Sequence, residues 1–233
     1  MSVQSPLSTL LRAAIAVAAL SARNLTDLIV PDLCGACGRE GSLLCDGCRR
    51  RFLDARAPLA DPPPPLAAAA TLGRYDTELG AALRTLKFHA TPRLAQPLGA
   101  ALAPVVDTVA AALGAPAPLL VATPTDPERR RSRGFDHAAL LADAAARAGG
   151  YPVAPLLERT RGVPPLHELG RAERHRALER AIAVRRGVAV PATVILVDDI
   201  WTSGATFGAS ARALMAAGCR RVGAVAVARE PLR

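Results

Sequence analysis

Apolar positions along the chain fall into two kinds of run. Short continuous runs bounded by turn residues have the length and flanks of buried strands: Leu119 to Ala122, a short one near Val153, Ala181 to Val184, Thr193 to Val197 and Val222 to Ala228. Between them lie longer stretches with helical periodicity, Glu78 to Phe88, Arg93 to Leu113, His137 to Ala148 and Phe207 to Ala217, the last stopped by Gly218. Strands alternating with helices are what a parallel sheet with crossover connections requires, so the pattern predicts an α/β fold with helices flanking a parallel sheet. In such sheets ligands sit beyond the carboxyl ends of the strands, which puts the chemistry just after those apolar runs.

This pattern occupies residues 67–233. Upstream, 57–66 reads as a linker, since Asp61-Pro-Pro-Pro-Pro65 should be extended and stiff. Residues 31–56 form a cysteine-bearing element, and 1–30 read as an N-terminal helix. There, Arg12 followed by Ala13-Ala-Ile-Ala-Val-Ala-Ala-Leu-Ser-Ala22 imitates a signal peptide, but no basic cluster precedes it and the run is too short to span a bilayer. An amphipathic helix packed on the body, in a cytoplasmic protein, is the expectation. No other stretch reads as transmembrane, and no repeat recurs at solenoid spacing.

Composition adds a core and a charge. With 233 residues, 51% of them hydrophobic, the chain can bury a substantial interior. The net charge is +9 and the basic residues are arginines, with Lys87 the sole lysine. A guanidinium fork matches phosphate oxygens, which points to anionic partners, although arginine also serves simply as a solubilising cation. Charge alone does not separate nucleic acid from phosphorylated metabolites.

Four of the five cysteines are bunched as Cys34, Cys37, Cys45 and Cys48, two Cys-x-x-Cys pairs separated by seven residues. Zinc takes four tetrahedral thiolates, and a two-residue spacer lets one tight turn offer two sulfurs to one ion. Two disulfides in a secreted protein are the alternative. Gly35, Gly38 and Gly47 lie in or beside the spacers, where backbone freedom lets amides turn toward sulfur. Cys219 stands apart and reads as a small buried residue.

The run Thr193 to Val197 ends in two adjacent acids, Asp198 and Asp199. Neighbouring ribose hydroxyls are donors that two carboxylates can accept together or bind through magnesium. Thr202, Ser203, Gly204, Ala205 and Thr206 then combine hydroxyls and a glycine immediately before a helix. Free amides at the helix start and two or three hydroxyls can all point at one dianion. The competing reading has the acids capping a loop and the hydroxyls capping the helix.

The segment Val194 to Thr206 resembles the phosphoribosyl pyrophosphate motif of type I phosphoribosyltransferases. Over about residues 28 to 230 the chain is similar to the ComF family, which joins a double Cys-x-x-Cys zinc element to a phosphoribosyltransferase-like domain. Arg84-x-Leu-Lys-Phe88, the Arg129 to Asp136 segment Arg-Arg-Arg-Ser-Arg-Gly-Phe-Asp, and Gly218 with Val222 to Arg229 carry the rest of the resemblance. Asp136-His137 stands where the family usually has Asn-Gln.

The resemblance implies structural zinc on the four cysteines, and phosphoribosyl pyrophosphate or a nucleotide, with magnesium, in the body. Asp198 and Asp199 would hold the ribose, and Thr202 to Thr206 the 5-phosphate. Thr123 and Thr125, in the turn Thr123-Pro-Thr-Asp126, and Arg129 would face the pyrophosphate. Arg133 joins the two acids as a catalytic candidate because cations there could neutralise a leaving pyrophosphate; a solvated basic loop is the alternative. Glu158 to Arg180 resembles a flexible lid, with Arg159 and Arg174 able to meet the pyrophosphate, or else is a surface helix of paired charges. None of His89, His137, His167 and His175 has metal spacing with another, and Trp201 reads as packing rather than stacking on ligand. The family is also linked with uptake of transforming DNA and a helicase partner, which would make single-stranded DNA a candidate ligand. The 3% aromatic content offers few stacking platforms for it.

Overall fold

The computed structural model describes residues 31–59, 61–75, 77–88, 91–159 and 181–230. The expected N-terminal helix, Arg174 and the lid beyond Arg159, and His89, His167 and His175 lie outside the described residues. In chain order the elements are α1 (Asp46–Ala55), β1 (Ala57–Pro58), β2 (Ala68–Arg74), α2 (Thr77–Phe88), a 3-10 turn (Pro92–Leu94), α3 (Ala95–Ala112), β3 (Leu119–Ala122), α4 (Pro127–Arg133), α5 (His137–Gly149), β4 (Leu157–Arg159), β5 (Ile182–Val184), β6 (Thr193–Trp201), α6 (Ala205–Ala216) and β7 (Arg221–Arg229).

The central sheet has the order β1-β2-β7-β6-β3. Four strands are parallel and β1 is an antiparallel edge, so the α/β class expected from the apolar runs is the class observed. Alternate side chains of the buried strands feed two cores. Ile195, Val197 and Val225 face α2, α3 and α5, while Val194, Leu196 and Ala224 face α6 with its Phe207 and Leu214. Among the described residues, Pro92–Ala112 is the one helical stretch long and apolar enough to cross a membrane, and 61% of its most apolar window is buried inside the protein.

Small residues set how closely these layers approach. A methyl group on Gly99 of α3 would stand 2.5 Å from the Ala144 Cβ and 2.7 Å from the Leu141 carbonyl oxygen of α5. Neither atom is the end of a flexible side chain, so the helices would have to separate. Gly99→Ala is expected to lower stability by about 1–3 kcal/mol, the usual range for overpacking. Chemical denaturation checks this, and an unchanged midpoint would show that the α3 and α5 interface yields freely.

Several elements differ from the periodicity. Of Ala181 to Val184, expected as a core strand, Ile182–Val184 forms β5, which pairs antiparallel with β4 in a separate two-stranded sheet. The run near Val153 contributes a single parallel bridge to Leu120. The expected helix Arg93 to Leu113 divides into the 3-10 turn and α3. Ala57–Pro58, within the stretch expected to be a linker, pairs with Ala70 and Thr71 of β2. The arginine-rich loop is helical as α4. Its Asp126 side chain accepts from the Glu128 amide at 2.9 Å, Pro127 opens the first turn, and Gly134 closes the helix at φ 80°.

Candidate functional site

The carboxyl ends of β3 and β6 lie side by side, because Val121 pairs with Leu196 and Ala122 with Val197 in parallel register. The Thr123 amide extends that ladder by donating to the Val197 carbonyl at 3.0 Å. Thr123 is thereby held against the acidic pair. The strand does not stop at Val197 as its apolar run suggested. β7 continues alongside, pairing Asp198 with Ala226, Ile200 with Ala228 and Trp201 with Arg229, so both acids sit on strand backbone rather than in a loop.

A cleft of about 240 Å³ opens here, lined by the Thr123 to Asp126 turn, Asp198 to Ile200, Thr202, Thr206, His137, Ala138, Lys87 and Arg159. The Asp198 carboxylate accepts the Asp199 amide at 2.8 Å. Burial, and then the neighbouring Asp199 carboxylate, push the Asp198 carboxyl up to about 7; hydrogen bonds from Thr123 and the Asp199 amide, with the Lys87 ammonium, oppose that rise. Asp199 pairs with Lys87 Nζ at 2.7 Å, both side chains being about 15% exposed or less.

The turn after β3 is pinned from two sides. Thr125 Oγ1 donates to Asp136 Oδ1 at 2.9 Å, and Asp136 Oδ1 also caps α5 by accepting the Ala139 amide at 3.1 Å. Asp126 pairs with Arg159 at 3.4 Å. His137 is buried in the cleft wall with its ring 4.7 Å from that of Phe135. Arg129 and Arg133 lie on α4, directly after this turn, but their side chains fall outside what is described.

Beyond the acids, Thr202 and Ser203 are exposed and Gly204 begins α6 in the left-handed region at φ 75°. A Cβ there would stand 3.1 Å from the Trp201 ring. Trp201 is 3% exposed and stacks on Phe207 with centroids 4.6 Å apart, so it packs beneath the turn as its sequence reading held. Ser203 Oγ accepts the Ala205 amide at 3.4 Å, and the first amides of α6, like those of any helix, lack partners within the helix. A helix start flanked by the hydroxyls of the exposed Thr202 and Ser203 is a place where an anion is favoured.

The cysteines form the second centre. All four sulfurs lie within 4.8 Å of one another, with Cys37 and Cys45 3.7 Å apart. Zinc–sulfur bonds of about 2.3 Å in a tetrahedron put sulfurs roughly 3.8 Å apart, so this donor set fits one zinc ion. The Cys45 amide donates to Cys34 Sγ at 3.4 Å and Arg51 donates to Cys48 Sγ at 3.1 Å. Burial opposes ionisation at Cys34, yet the surrounding amides bring its thiol down to about 6; burial, reinforced by its sulfur neighbours, pushes the Cys48 thiol up. The fifth cysteine, Cys219, is free and 4% exposed.

Against known proteins, the chain is 33% identical over 102 residues to the competence protein ComFC of Streptococcus pneumoniae. That match spans 44% of this chain and 44% of the relative's own length. No protein-family model matches the chain. A crystal structure of adenine phosphoribosyltransferase aligns over 78% of this chain and 89% of that one, with a TM-score of 0.38 and 14% identity.

The geometry thus brings together Asp198, Asp199, Thr123, Thr125, Thr202 and Thr206 around one cleft, with Ser203, Gly204 and Ala205 at the adjoining helix start. Sequence reasoning placed Asp126 in the pyrophosphate-facing turn and Lys87 in a segment of family resemblance, without giving either side chain a role of its own. A signal for Lys87 existed: it is the one lysine among 29 basic residues, which a purely solubilising role would not single out.

Proposed function

We propose that the cleft binds phosphoribosyl pyrophosphate, or a nucleoside monophosphate, together with magnesium. The observation that carries this reading is the pair Asp198 and Asp199 in the same 240 Å³ cleft as Thr202 and Thr206 of the helix start. In this reading the two carboxylates would take the ribose hydroxyls and the helix start the 5-phosphate. The Thr123 to Asp126 turn, followed by the arginines of α4 with Arg129 and Arg133, would face the pyrophosphate. The chemistry such a site supports is displacement of pyrophosphate at the ribose anomeric carbon, driven by orientation and by stabilising the leaving group.

Calorimetric titration of the protein with phosphoribosyl pyrophosphate and magnesium tests the reading. Saturable binding is expected, and it should strengthen from pH 6 to pH 8. The sign follows from Asp198, whose raised carboxyl is half protonated near 7 and must ionise to accept ribose hydroxyls. Binding at pH 7 should therefore release protons, seen as a heat that depends on the buffer's ionisation enthalpy. Absence of binding at either pH refutes the reading.

The similarity to ComFC favours a second reading, a module for DNA uptake that binds single-stranded DNA or a helicase partner. The charge of +9 is compatible with it. Phosphate contacts release counterions, so its signature is DNA affinity that falls steeply with salt. No measurable DNA affinity at low salt would dismiss it.

A further inference from the structure

We infer that the four-cysteine knuckle positions Lys87, so that the state of the knuckle is transmitted to the acidic pair in the cleft through helix α2. The knuckle grips α2 at two points. Arg51, whose guanidinium donates to Cys48 Sγ, also forms a forked pair with Glu78 in the first turn of α2, at 3.0 and 2.9 Å. Near the other end, Thr85 Oγ1 donates to the carbonyl of Gly35, the residue after Cys34, at 3.3 Å. Gly35 packs closely against the same helix and the turn after it, since a Cβ there would stand 3.4 Å from Thr85 and 2.7 Å from Leu94. Two residues beyond Thr85, Lys87 delivers its ammonium to Asp199.

Between these contacts α2 is a stiff strut. Ala82, Leu83 and Leu86 are fully buried in the core that also contains Cys34, Cys48 and Phe52. A packed helix moves as a unit, so loosening its knuckle contacts shifts Lys87 rather than being absorbed along the way. Arg51 and Glu78 are partly exposed and contribute little as an isolated pair; their weight lies in joining a sulfur ligand to the helix. Lys87 is a positioning residue here, holding the Asp199 carboxylate in place until ribose hydroxyls take it over. That consequence for ligand rests on the phosphoribosyl reading; the positional claim does not.

Because Lys87 is the only lysine, an amine-acylating reagent reports on it directly, with the Lys87 peptide separated from the chain's N-terminal amine by mass spectrometry. The zinc-loaded protein should label slowly at Lys87, and Asp199→Asn, which removes the partner carboxylate, should label faster and calibrate the assay. The double variant Glu78→Ala, Thr85→Val keeps all four cysteines; with zinc content and circular dichroism unchanged, it should label about fivefold faster than wild type. Labelling at the wild-type rate in that variant, while Asp199→Asn labels faster, overturns the inference. Affinity for phosphoribosyl pyrophosphate separates the two claims. It should fall in the double variant and fall no further when Lys87→Met is added. If the wild type binds none, the ligand reading fails and the labelling result still decides the positional one.

Discussion

If the cleft binds phosphoribosyl pyrophosphate as proposed, Asp199→Asn is expected to lower that affinity by about a hundredfold or more and to leave the fold intact. The estimate comes from hydrogen bonds to a charged acceptor, each contributing ~1.5–3 kcal/mol, in a site where an amide can accept from only one oxygen. The effect on stability is small because two changes oppose each other. Lys87 loses the carboxylate 2.7 Å away, in a place where each side chain is about 15% exposed or less, and that costs stability. Asp198 loses the like charge that helps to raise its carboxyl, and that relieves strain in the pair. Calorimetry and thermal melts on the same preparation check both halves. Retained affinity removes Asp199 from the site; lost affinity with a collapsed melting temperature shows that the Lys87 pair is structural before it is functional.

Much of the sheet was legible because β6 and β7 carry valine and isoleucine in continuous apolar runs. Thr193 to Val197 and Val222 to Ala228 could be read as continuous apolar runs, and both are buried on both faces of the sheet. β2 was not legible. Its sequence, Ala-Ala-Ala-Thr-Leu-Gly-Arg, is dominated by residues with little strand preference, and it is extended because β7 supplies a parallel partner along its whole length. The same cause hid the true end of β6: Asp198 and Asp199 look like a loop, and tertiary pairing with β7 keeps them on the strand. Ala181 to Val184 failed in the opposite sense, since a short apolar run says nothing about which strand it will pair with.

The candidate site divides along the same line. Adjacent acids followed by hydroxyls and a glycine are local in sequence, so Asp198 to Thr206 could be picked out at once. Lys87 reaches Asp199 across 112 positions of sequence, and only the packing of α2 against the sheet brings them together. Contacts of that kind leave no spacing to read.

Chelation of a zinc ion held by the four cysteines is expected to lower the melting temperature by about 10 °C or more, the change expected for a loss of several kcal/mol from a chain of this size. The knuckle is part of the main core rather than an appendage: Cys34, Leu44, Cys48 and Phe52 are at most 7% exposed and share one apolar cluster with Leu72, Leu79, Leu83 and Leu94. Four sulfurs within 4.8 Å cannot all ionise without a cation, because thiolates so close repel one another. A divalent ion resolves that repulsion, and without one the thiols must reprotonate or separate, which opens the loops that hold Phe52 in place. The measurement is a thermal melt before and after chelation, with metal content determined on each sample. A melt unmoved by complete zinc removal would mean that packing alone holds the knuckle. Purified protein with no zinc and with reducible sulfur pairs would instead favour the disulfide alternative and leave Arg51 beside a neutral sulfur.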